Sequence, residues 1–183
     1  MAKRAVILLA PGYEELEAVA VVDILRRAGI DALLAGLDEG PVPSARDVKI
    51  VPDTTLDRIK DEAFDLIVLP GGLDGTERLA GTPAVVDMLK RQLEEGRYIG
   101  AICAAPTVLD RHGLSKGCTI TCHPICQEAV KESNLSQERV SQDGLIITSQ
   151  GPGTALEFAL KLVEVLEGRG KMEEVNKGVL AKI

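Results

Sequence analysis

The chain has 183 residues, and its 28 acidic against 21 basic side chains give a formal net charge of −7. With 45% hydrophobic and 27% charged residues, the composition is that of a folded globular protein, and the length predicts that residues 1–183 form a single domain. The acidic balance, together with two Phe, two Tyr and no Trp, argues against nucleic-acid binding. No apolar run approaches the ~20 residues that span a bilayer, so no membrane segment is expected.

Short apolar runs alternate with helical patterns along the chain. The apolar runs predict strands over residues 5–9, 31–35, 48–51, 66–69, 98–102, 119–122 and 145–148. The helical patterns predict helices over residues 14–28, 83–95, 104–112, 125–133 and 154–166. Because the strands are continuously apolar instead of alternating, we expect an α/β fold, with a mostly parallel sheet covered by helices on both faces.

The first strand and the cysteines favour a cytoplasmic protein. The apolar residues 5–10 stop at Pro11-Gly12 and are followed by Glu14-Glu15, which makes the segment too short and too acidic for a secretory signal. Four cysteines in a cytoplasmic chain are more often free thiols than disulfides.

A cluster of Cys118, Cys122, His123 and Cys126 is also a candidate zinc site, but its spacing argues against one. Cys118 and Cys122 lie on one predicted strand, where four residues separate Cα atoms by about 13 Å. Sulfurs that far apart cannot share one zinc ion, so no metal is expected. A dinucleotide site is also disfavoured, because the first turn lacks the G-x-G-x-x-G pattern.

In a doubly wound sheet, ligands bind at the carboxyl ends of the strands, and Cys103 follows such a strand directly. The residues after it, Ala104-Ala105-Pro106, predict a helix start, so Cys103 is expected on a tight strand-to-helix turn. The free N–H groups of a helix start favour a thiolate and predict a lowered pKa for Cys103. The alternative is a small buried cysteine with no chemical role.

The two histidines have different predicted roles. His123 follows the predicted strand 119–122, so it should lie at the same edge of the sheet, where it can relay protons for a cysteine. His112 lies at a predicted helix end and is expected to cap it.

Glu17 and the Gly71-Gly72 pair complete the candidate site. Glu17 lies in an almost wholly apolar stretch, where a carboxyl has a raised pKa and can stay protonated. The alternative, which the residues alone favour slightly, places Glu17 on a solvated helix face. Gly71 and Gly72 would bring backbone N–H groups close to a ligand as an oxyanion site, although Pro-Gly-Gly is also common in plain turns.

Five segments in chain order carry a family resemblance: Ala10-Pro11-Gly12-Tyr13-Glu14-Glu15-Leu16-Glu17, Leu69-Pro70-Gly71-Gly72, Ala101-Ile102-Cys103-Ala104-Ala105-Pro106, His123-Pro124 and Thr148-Ser149-Gln150-Gly151-Pro152-Gly153-Thr154. Together they resemble the ThiJ/PfpI superfamily, in the branch of the Parkinsonism-associated protein deglycase (DJ-one) and its bacterial relatives. The resemblance implies a flavodoxin-like sandwich that forms a homodimer.

The resemblance also implies roles for particular residues. The reactive cysteine of the family falls at Cys103, its neighbouring glutamate at Glu17 and its histidine at His123. This favours a buried, protonated Glu17 beside the sulfur over a solvated one.

Further site residues follow from the same resemblance. Backbone donors of the oxyanion type fall at Gly72 and Ala104. Arg46 and Asp23 match positions that, in the family, lie near the site across the dimer interface.

The chain departs from its relatives at other cysteines. Ser44 and Val51 stand where animal members have cysteines, and no family role is implied for Cys118, Cys122 or Cys126. The related glutamine amidotransferases have G-x-C-x-G and a glutamate two residues after the histidine. This chain has A-I-C-A-A around the cysteine and Ile125 two residues after His123, which excludes that branch.

Two functional hypotheses follow from the resemblance. The first is a cofactor-independent glyoxalase and protein deglycase that acts on methylglyoxal, glyoxal and early glycation adducts of proteins through a Cys103 hemithioacetal. The second is a redox-sensing stress chaperone whose cysteine is oxidised to a sulfinate. A cysteine protease is a third, weaker alternative.

Overall fold

The apolar runs of the sequence form the strands of the computed structural model, which describes residues 2–182. The strands are β1 Arg4–Leu9, β2 Asp31–Gly36, β3 Val42–Pro43, β4 Lys49–Ile50, β5 Thr54–Thr55, β6 Leu66–Leu69, β7 Tyr98–Ile102, β8 Thr119–Ile120, β9 Asn134–Leu135, β10 Val140–Asp143 and β11 Ile146–Ser149. Seven of them form the main sheet, in the order β10-β11-β7-β6-β1-β2-β5. Neighbours in this sheet are parallel except at one edge, where β10 is antiparallel to β11. The predicted, mostly parallel sheet is confirmed.

The helices cover both faces of this sheet. They are α1 Glu15–Arg27, α2 Leu56–Ile59, α3 Leu73–Ala80, α4 Pro83–Glu94, α5 Pro106–Arg111, α6 Ala155–Glu167 and α7 Arg169–Val179, with 3-10 helices over Pro124–Ala129 and Pro152–Thr154. None of these helices within residues 2–182 is long and apolar enough to cross a membrane.

Successive side chains of β1 point to opposite faces of the sheet and so enter two separate cores. Ile7 packs in a cluster with residues of α1 and α6, whereas Val6 and Leu8 pack in a cluster with residues of α2 to α5. All three side chains are fully buried. Burial on both faces explains why the strand is apolar throughout instead of alternating.

The strand order places a crevice beside β1. The chain runs from β1 to β2 on one side and returns to β6 on the other, so the turns after Leu9 and Leu69 face each other at the carboxyl edge. β7 pairs with β6, which brings the turn after Ile102 to the same edge. Such a reversal of strand order is where doubly wound folds bind ligands.

Three predicted elements differ in the structure. Of the predicted strand 48–51, only Lys49–Ile50 is paired, in a two-stranded ribbon with β3 outside the main sheet. Of the predicted strand 119–122, only Thr119–Ile120 is paired, with β9 in another small sheet. The N–H of Thr121 donates to the side chain of Thr148 and not to the backbone of a neighbouring strand. The predicted helix 125–133 is a shorter 3-10 helix over Pro124–Ala129.

The sequence patterns also missed elements, among them α3 and α7. α3 contains Gly75, which disfavours a helix in isolation. In the fold this glycine is needed, because a Cβ there would lie 2.8 Å from the backbone nitrogen of Tyr13. α7 buries only Val175 among its residues, so it lacks the apolar periodicity that predicts a helix.

Candidate active site

Cys103 lies on a strained turn between β7 and α5. Its φ angle is +64°, a value that residues other than glycine rarely adopt. Its N–H donates to Ser149 O at 2.9 Å. Strain of this kind costs on the order of 1–3 kcal/mol and persists only where the surrounding structure holds it. The half-buried cysteine faces a cavity of about 400 Å³ at the carboxyl edge of the sheet. Cys103 therefore lies on the tight strand-to-helix turn that the sequence predicts.

Glu17 lies on α1 and is completely buried. Its Oε2 accepts a hydrogen bond from Gly71 N–H at 2.7 Å, and the Cys103 thiol lies within hydrogen-bonding reach of the same carboxyl group. Oε1 finds no hydrogen-bond partner in the described part of the chain. Burial outweighs these contacts and raises the pKa of Glu17 to about 7. The solvated helix face is therefore excluded, and the carboxyl can carry a proton near neutral pH.

The expected lowering of the pKa of Cys103 is wrong. Burial of the sulfur, reinforced by the negative charge of Glu17, raises the pKa of Cys103 to about 12. The N–H groups of Gly72 and Ala104 act in the opposite direction, but they do not overcome burial. The reactive thiolate is thus favoured when the proton resides on Glu17, because the repelling charge is then absent and the carboxyl O–H can donate to sulfur.

The two glycines after β6 make different contacts, which corrects the prediction that the N–H groups of both face a ligand. Gly71 N–H is taken by Glu17, so it cannot face a ligand. A Cβ at Gly71 would lie 2.5 Å from the Cβ of Cys103, so only glycine fits there. Gly72 has a φ of +87°, and its N–H points at the sulfur together with that of Ala104. The N–H groups of Gly72 and Ala104 are therefore the backbone donors that face the sulfur.

His123 is held beside Cys103 by its own backbone. Its N–H donates to Cys103 O at 2.8 Å, and its Nδ1 accepts from Ile125 N–H at 3.3 Å. A neutral ring with Nδ1 as acceptor carries its proton on Nε2. The half-buried ring lines the same cavity as Cys103, although the strand predicted to place it ends earlier.

The remaining predicted residues lie in different places. Arg46 lines the cavity, where its exposed guanidinium donates to Ala45 O at 3.1 Å. Asp23 is exposed on α1, pairs with Arg27 at 2.7 Å and does not line this cavity. The ring of His112 contacts Ala80 O at 3.0 Å, which links the end of α5 to the end of α3.

Several residues that line the cavity were not predicted as site residues, among them Leu73, Ile125 and Cys126. Leu73 and Ile125 are 59% and 69% exposed although they are apolar, and each follows a motif residue directly. Cys126 is 7% exposed. The sequence signal that could have indicated Leu73 and Ile125 is their position directly after the Gly-Gly and His-Pro motifs. Within residues 2–182, no group of three or more His, Cys, Asp or Glu side chains is arranged to hold a metal ion.

A cysteine on a strained strand-to-helix turn, beside a buried carboxyl and two backbone donors, defines an α/β protein with a nucleophile-type site. The model of the DJ-1/PfpI family matches residues 3–165. Protein dj-1beta of Drosophila melanogaster is 46% identical over 183 residues, which cover 98% of each chain. The glutathione-independent glyoxalase DJR-1.2 of Caenorhabditis elegans is 43% identical over 178 residues, covering 96% of this chain and 95% of that protein.

Solved structures agree with these sequence matches. The crystal structure of Drosophila melanogaster DJ-1beta is similar with a TM-score of 0.97 at 45% identity, with both chains fully covered. Toxoplasma gondii DJ-1 in an oxidised form has a TM-score of 0.96 at 35% identity, again over both full chains. The chain belongs to the DJ-1/PfpI family.

Proposed function

We propose that the protein is a cofactor-independent glyoxalase of DJ-1 type that takes part in the defence against reactive carbonyl compounds. The observation that carries this proposal is the buried Glu17 carboxyl within reach of the Cys103 thiol, with the N–H groups of Gly72 and Ala104 on the sulfur. A relative of 43% identity named as a glutathione-independent glyoxalase supports it.

The first step forms a carbon–sulfur bond. Cys103 Sγ attacks the aldehyde carbon of methylglyoxal, and Glu17 accepts the thiol proton and returns it to the aldehyde oxygen, which gives a hemithioacetal. The oxygen carries negative charge during the attack. Backbone donors fixed in advance at Gly72 and Ala104 stabilise that charge without reorganisation.

The second step moves a hydrogen between neighbouring carbons. A base removes the proton from the former aldehyde carbon, and the adjacent ketone carbon is protonated, which converts the hemithioacetal into a lactoyl thioester. Glu17, beside the sulfur, and His123, on the wall of the same cavity, are the titratable groups that can carry this proton. Water then cleaves the thioester to lactate and restores the thiol, so the net reaction adds one water to methylglyoxal.

The same adduct chemistry extends to glycated proteins. An early adduct of a lysine, arginine or cysteine side chain keeps an electrophilic carbon that Cys103 can attack. The bond from this carbon to the side-chain nitrogen or sulfur then breaks, the side chain leaves with a proton and is restored, and the same hemithioacetal remains on Cys103. Isomerisation and hydrolysis release the hydroxy acid as before. The cavity is open enough for its apolar rim residues Leu73 and Ile125 to be more than half exposed. This deglycase activity is a second use of the same site.

The test measures methylglyoxal consumption and lactate formation without glutathione. We expect activity in the wild type and in Cys118→Ser, the matched control, because Cys118 does not line the cavity. Cys103→Ser should form no lactate, since a serine hydroxyl is a far weaker nucleophile than a thiolate. Full activity of Cys103→Ser would disprove the mechanism.

A redox-sensing chaperone is the second candidate. The observation that favours it is the solved oxidised form of a relative at 35% identity, together with the partly exposed Cys103 sulfur. In this case mild peroxide adds oxygen to Cys103 before the other cysteines, and the oxidised protein suppresses aggregation of unfolded clients. Oxidation of Cys118 or Cys122 before Cys103 in peptide mapping would count against it.

We also infer a homodimer. Leu16 and Val19, three residues apart on α1, are 62% and 47% exposed, and Val51 is 74% exposed. Exposed apolar side chains on one helix face are typical of protein interfaces. Light scattering after gel filtration should give twice the chain mass, and Leu16→Asp should give a monomer. A wild type that is monomeric at micromolar concentration contradicts the inference.

A further inference from the structure

A second cysteine lines the cavity that holds Cys103. Cys126 is 7% exposed and belongs to the 3-10 helix Pro124–Ala129. The proposed glyoxalase mechanism gives it no task. Cys122 is fully buried and does not line the cavity, and Cys118 does not line it either. Cys126 is therefore the cysteine that shares a cavity wall with the reactive sulfur.

Two consecutive backbone hydrogen bonds connect Cys126 to Cys103. His123 N–H donates to Cys103 O at 2.8 Å, and Cys126 N–H donates to His123 O, also at 2.8 Å. The second bond closes the first turn of the 3-10 helix, so Cys126 stands one turn after a residue paired directly with Cys103. This connection keeps the two thiols on neighbouring segments at the same edge of the sheet.

We propose that Cys126 is a resolving cysteine, which traps oxidised Cys103 as an intramolecular disulfide. A hydroperoxide first transfers one oxygen to the Cys103 thiolate, giving a sulfenic acid and releasing the corresponding alcohol, or water in the case of hydrogen peroxide. The Cys126 thiol then attacks the Cys103 sulfur, a sulfur–sulfur bond forms, and the sulfenic oxygen leaves as water. The disulfide competes with further oxidation to the sulfinate, and a dithiol reductant returns both thiols.

The 3-10 helix is the element that allows the bond to form. A disulfide needs Cα atoms within about 7 Å of each other, so Cys126 must be able to approach Cys103. Hydrogen bonds of 3-10 helices have poorer geometry than those of α-helices, and runs as long as this one are uncommon. Pro124, Ile125 and Glu128 of this helix are exposed, so the tertiary contacts that a small shift must displace are chiefly those of Cys126 in the buried apolar cluster.

Burial sets the pH dependence of the trapping step. It raises the pKa of Cys126 above its ordinary value, so the attacking thiolate is scarce at neutral pH. The other titratable side chains that line the cavity are Glu14, Arg46, Asp74, Cys103 and His123. Cys122, whose pKa the Cys126 group helps to raise, is a further titratable neighbour. We therefore expect the disulfide to form faster at pH 8.5 than at pH 7.

The experiment treats the reduced full-length protein with hydrogen peroxide from sub-stoichiometric amounts upward, blocks remaining thiols by alkylation and maps the peptides without reduction. The expected wild-type product has lost two hydrogen atoms and contains a peptide pair joined through Cys103 and Cys126. Cys118→Ser should give the same pair. Cys126→Ala should lose it and should accumulate the Cys103 sulfinate at lower peroxide doses.

Two results would overturn the proposal. One is a wild type that gains two oxygens at Cys103 at every dose without any joined pair. The other is a joined pair that contains Cys122 in place of Cys103. Both are read from the wild type, so they do not depend on the folding of a variant. Lactate formation by the reduced protein is measured separately, so a failure of the glyoxalase proposal is distinguishable from a failure of this one.

Discussion

Glu17 and Asp110 are both buried carboxyl residues, 0% and 2% exposed, but the fold supplies them with different numbers of hydrogen-bond donors. Asp110, on α5, accepts bonds from three consecutive backbone N–H groups, those of Lys131, Glu132 and Ser133, at 2.7, 3.0 and 2.8 Å. Glu17 accepts one backbone N–H bond, from Gly71. Burial opposes the charge of Asp110, but its donors outweigh burial and lower the pKa of Asp110. For Glu17 burial prevails, and its pKa rises to about 7.

The difference separates a structural carboxylate from one available for chemistry. Asp110 stays charged at neutral pH because three backbone donors replace its water shell, so it ties α5 to the segment 131–133. Glu17 can gain and lose a proton near neutral pH because burial raises its pKa to about 7 and Oε1 has no partner in the described residues that would offset this burial. Proton-transfer groups in enzymes have pKa values near the working pH for this reason.

The largest expected effect is the loss of activity in Glu17→Gln. The amide keeps the shape and can still accept the Gly71 N–H bond, but it cannot take the thiol proton. We expect kcat/KM for methylglyoxal to fall by about 10²–10⁴-fold, the usual contribution of a general acid–base group. Asp110→Asn is the matched control, and its activity per folded molecule should stay close to that of the wild type. An equal loss of activity in the two variants would contradict the idea that Glu17 transfers a proton while Asp110 is only structural.

The second prediction concerns the pH dependence of stability. Because the pKa of Glu17 is raised from 4.5 to about 7 in the folded state, the folded protein binds more protons than the unfolded chain between these pH values. The free energy of unfolding should therefore fall by about 3 kcal/mol as the pH rises through this window. Urea unfolding of wild type and Glu17→Gln at a series of pH values measures the difference in their free energies of unfolding. A difference independent of pH from 4.5 to 7 contradicts the raised pKa.

The third prediction is a stability loss in Asp110→Asn. Removing the charge weakens three hydrogen bonds and leaves buried donors poorly satisfied, which should cost roughly 1–3 kcal/mol. Because the pKa of Asp110 is lowered, this stabilisation is present above its ordinary value of 3.8 and is lost as the pH falls below it. The difference in the free energy of unfolding between wild type and Asp110→Asn should therefore become smaller as the pH falls below this value. Unchanged urea midpoints at neutral pH would show that the three bonds contribute nothing.

The smallest expected effect is on the reactivity of the thiol. The charge of Glu17 raises the pKa of Cys103, so Glu17→Gln should lower it and speed the alkylation of Cys103 by iodoacetamide at pH 8 several-fold. Asp110→Asn should leave the rate unchanged. Slower alkylation in Glu17→Gln would mean that the protonated carboxyl promotes the thiolate more than the charged one suppresses it.

The central strands and the cysteine turn follow from the sequence because their causes are local. Strands β1, β6 and β7 are buried on both faces, so each is a continuous apolar run whose bounds are visible. The small residues and the proline after Cys103 show where the strand ends and the helix begins. Elements that depend on distant partners were predicted poorly. The segments 48–51 and 119–122 have strand-like composition, but they pair outside the main sheet.

The sequence by itself determined the sheet of parallel strands, the turn that carries Cys103 and, through the family resemblance, the roles expected for Glu17 and His123. The tertiary structure decided how the donors are allocated, since Gly71 N–H goes to Glu17 and only Gly72 and Ala104 remain for the sulfur. It also decided that burial raises the pKa of Cys103 and that Cys126 lines the same cavity. Desolvation and hydrogen-bond geometry depend on atoms contributed by several distant segments, so no local pattern in the chain contains them.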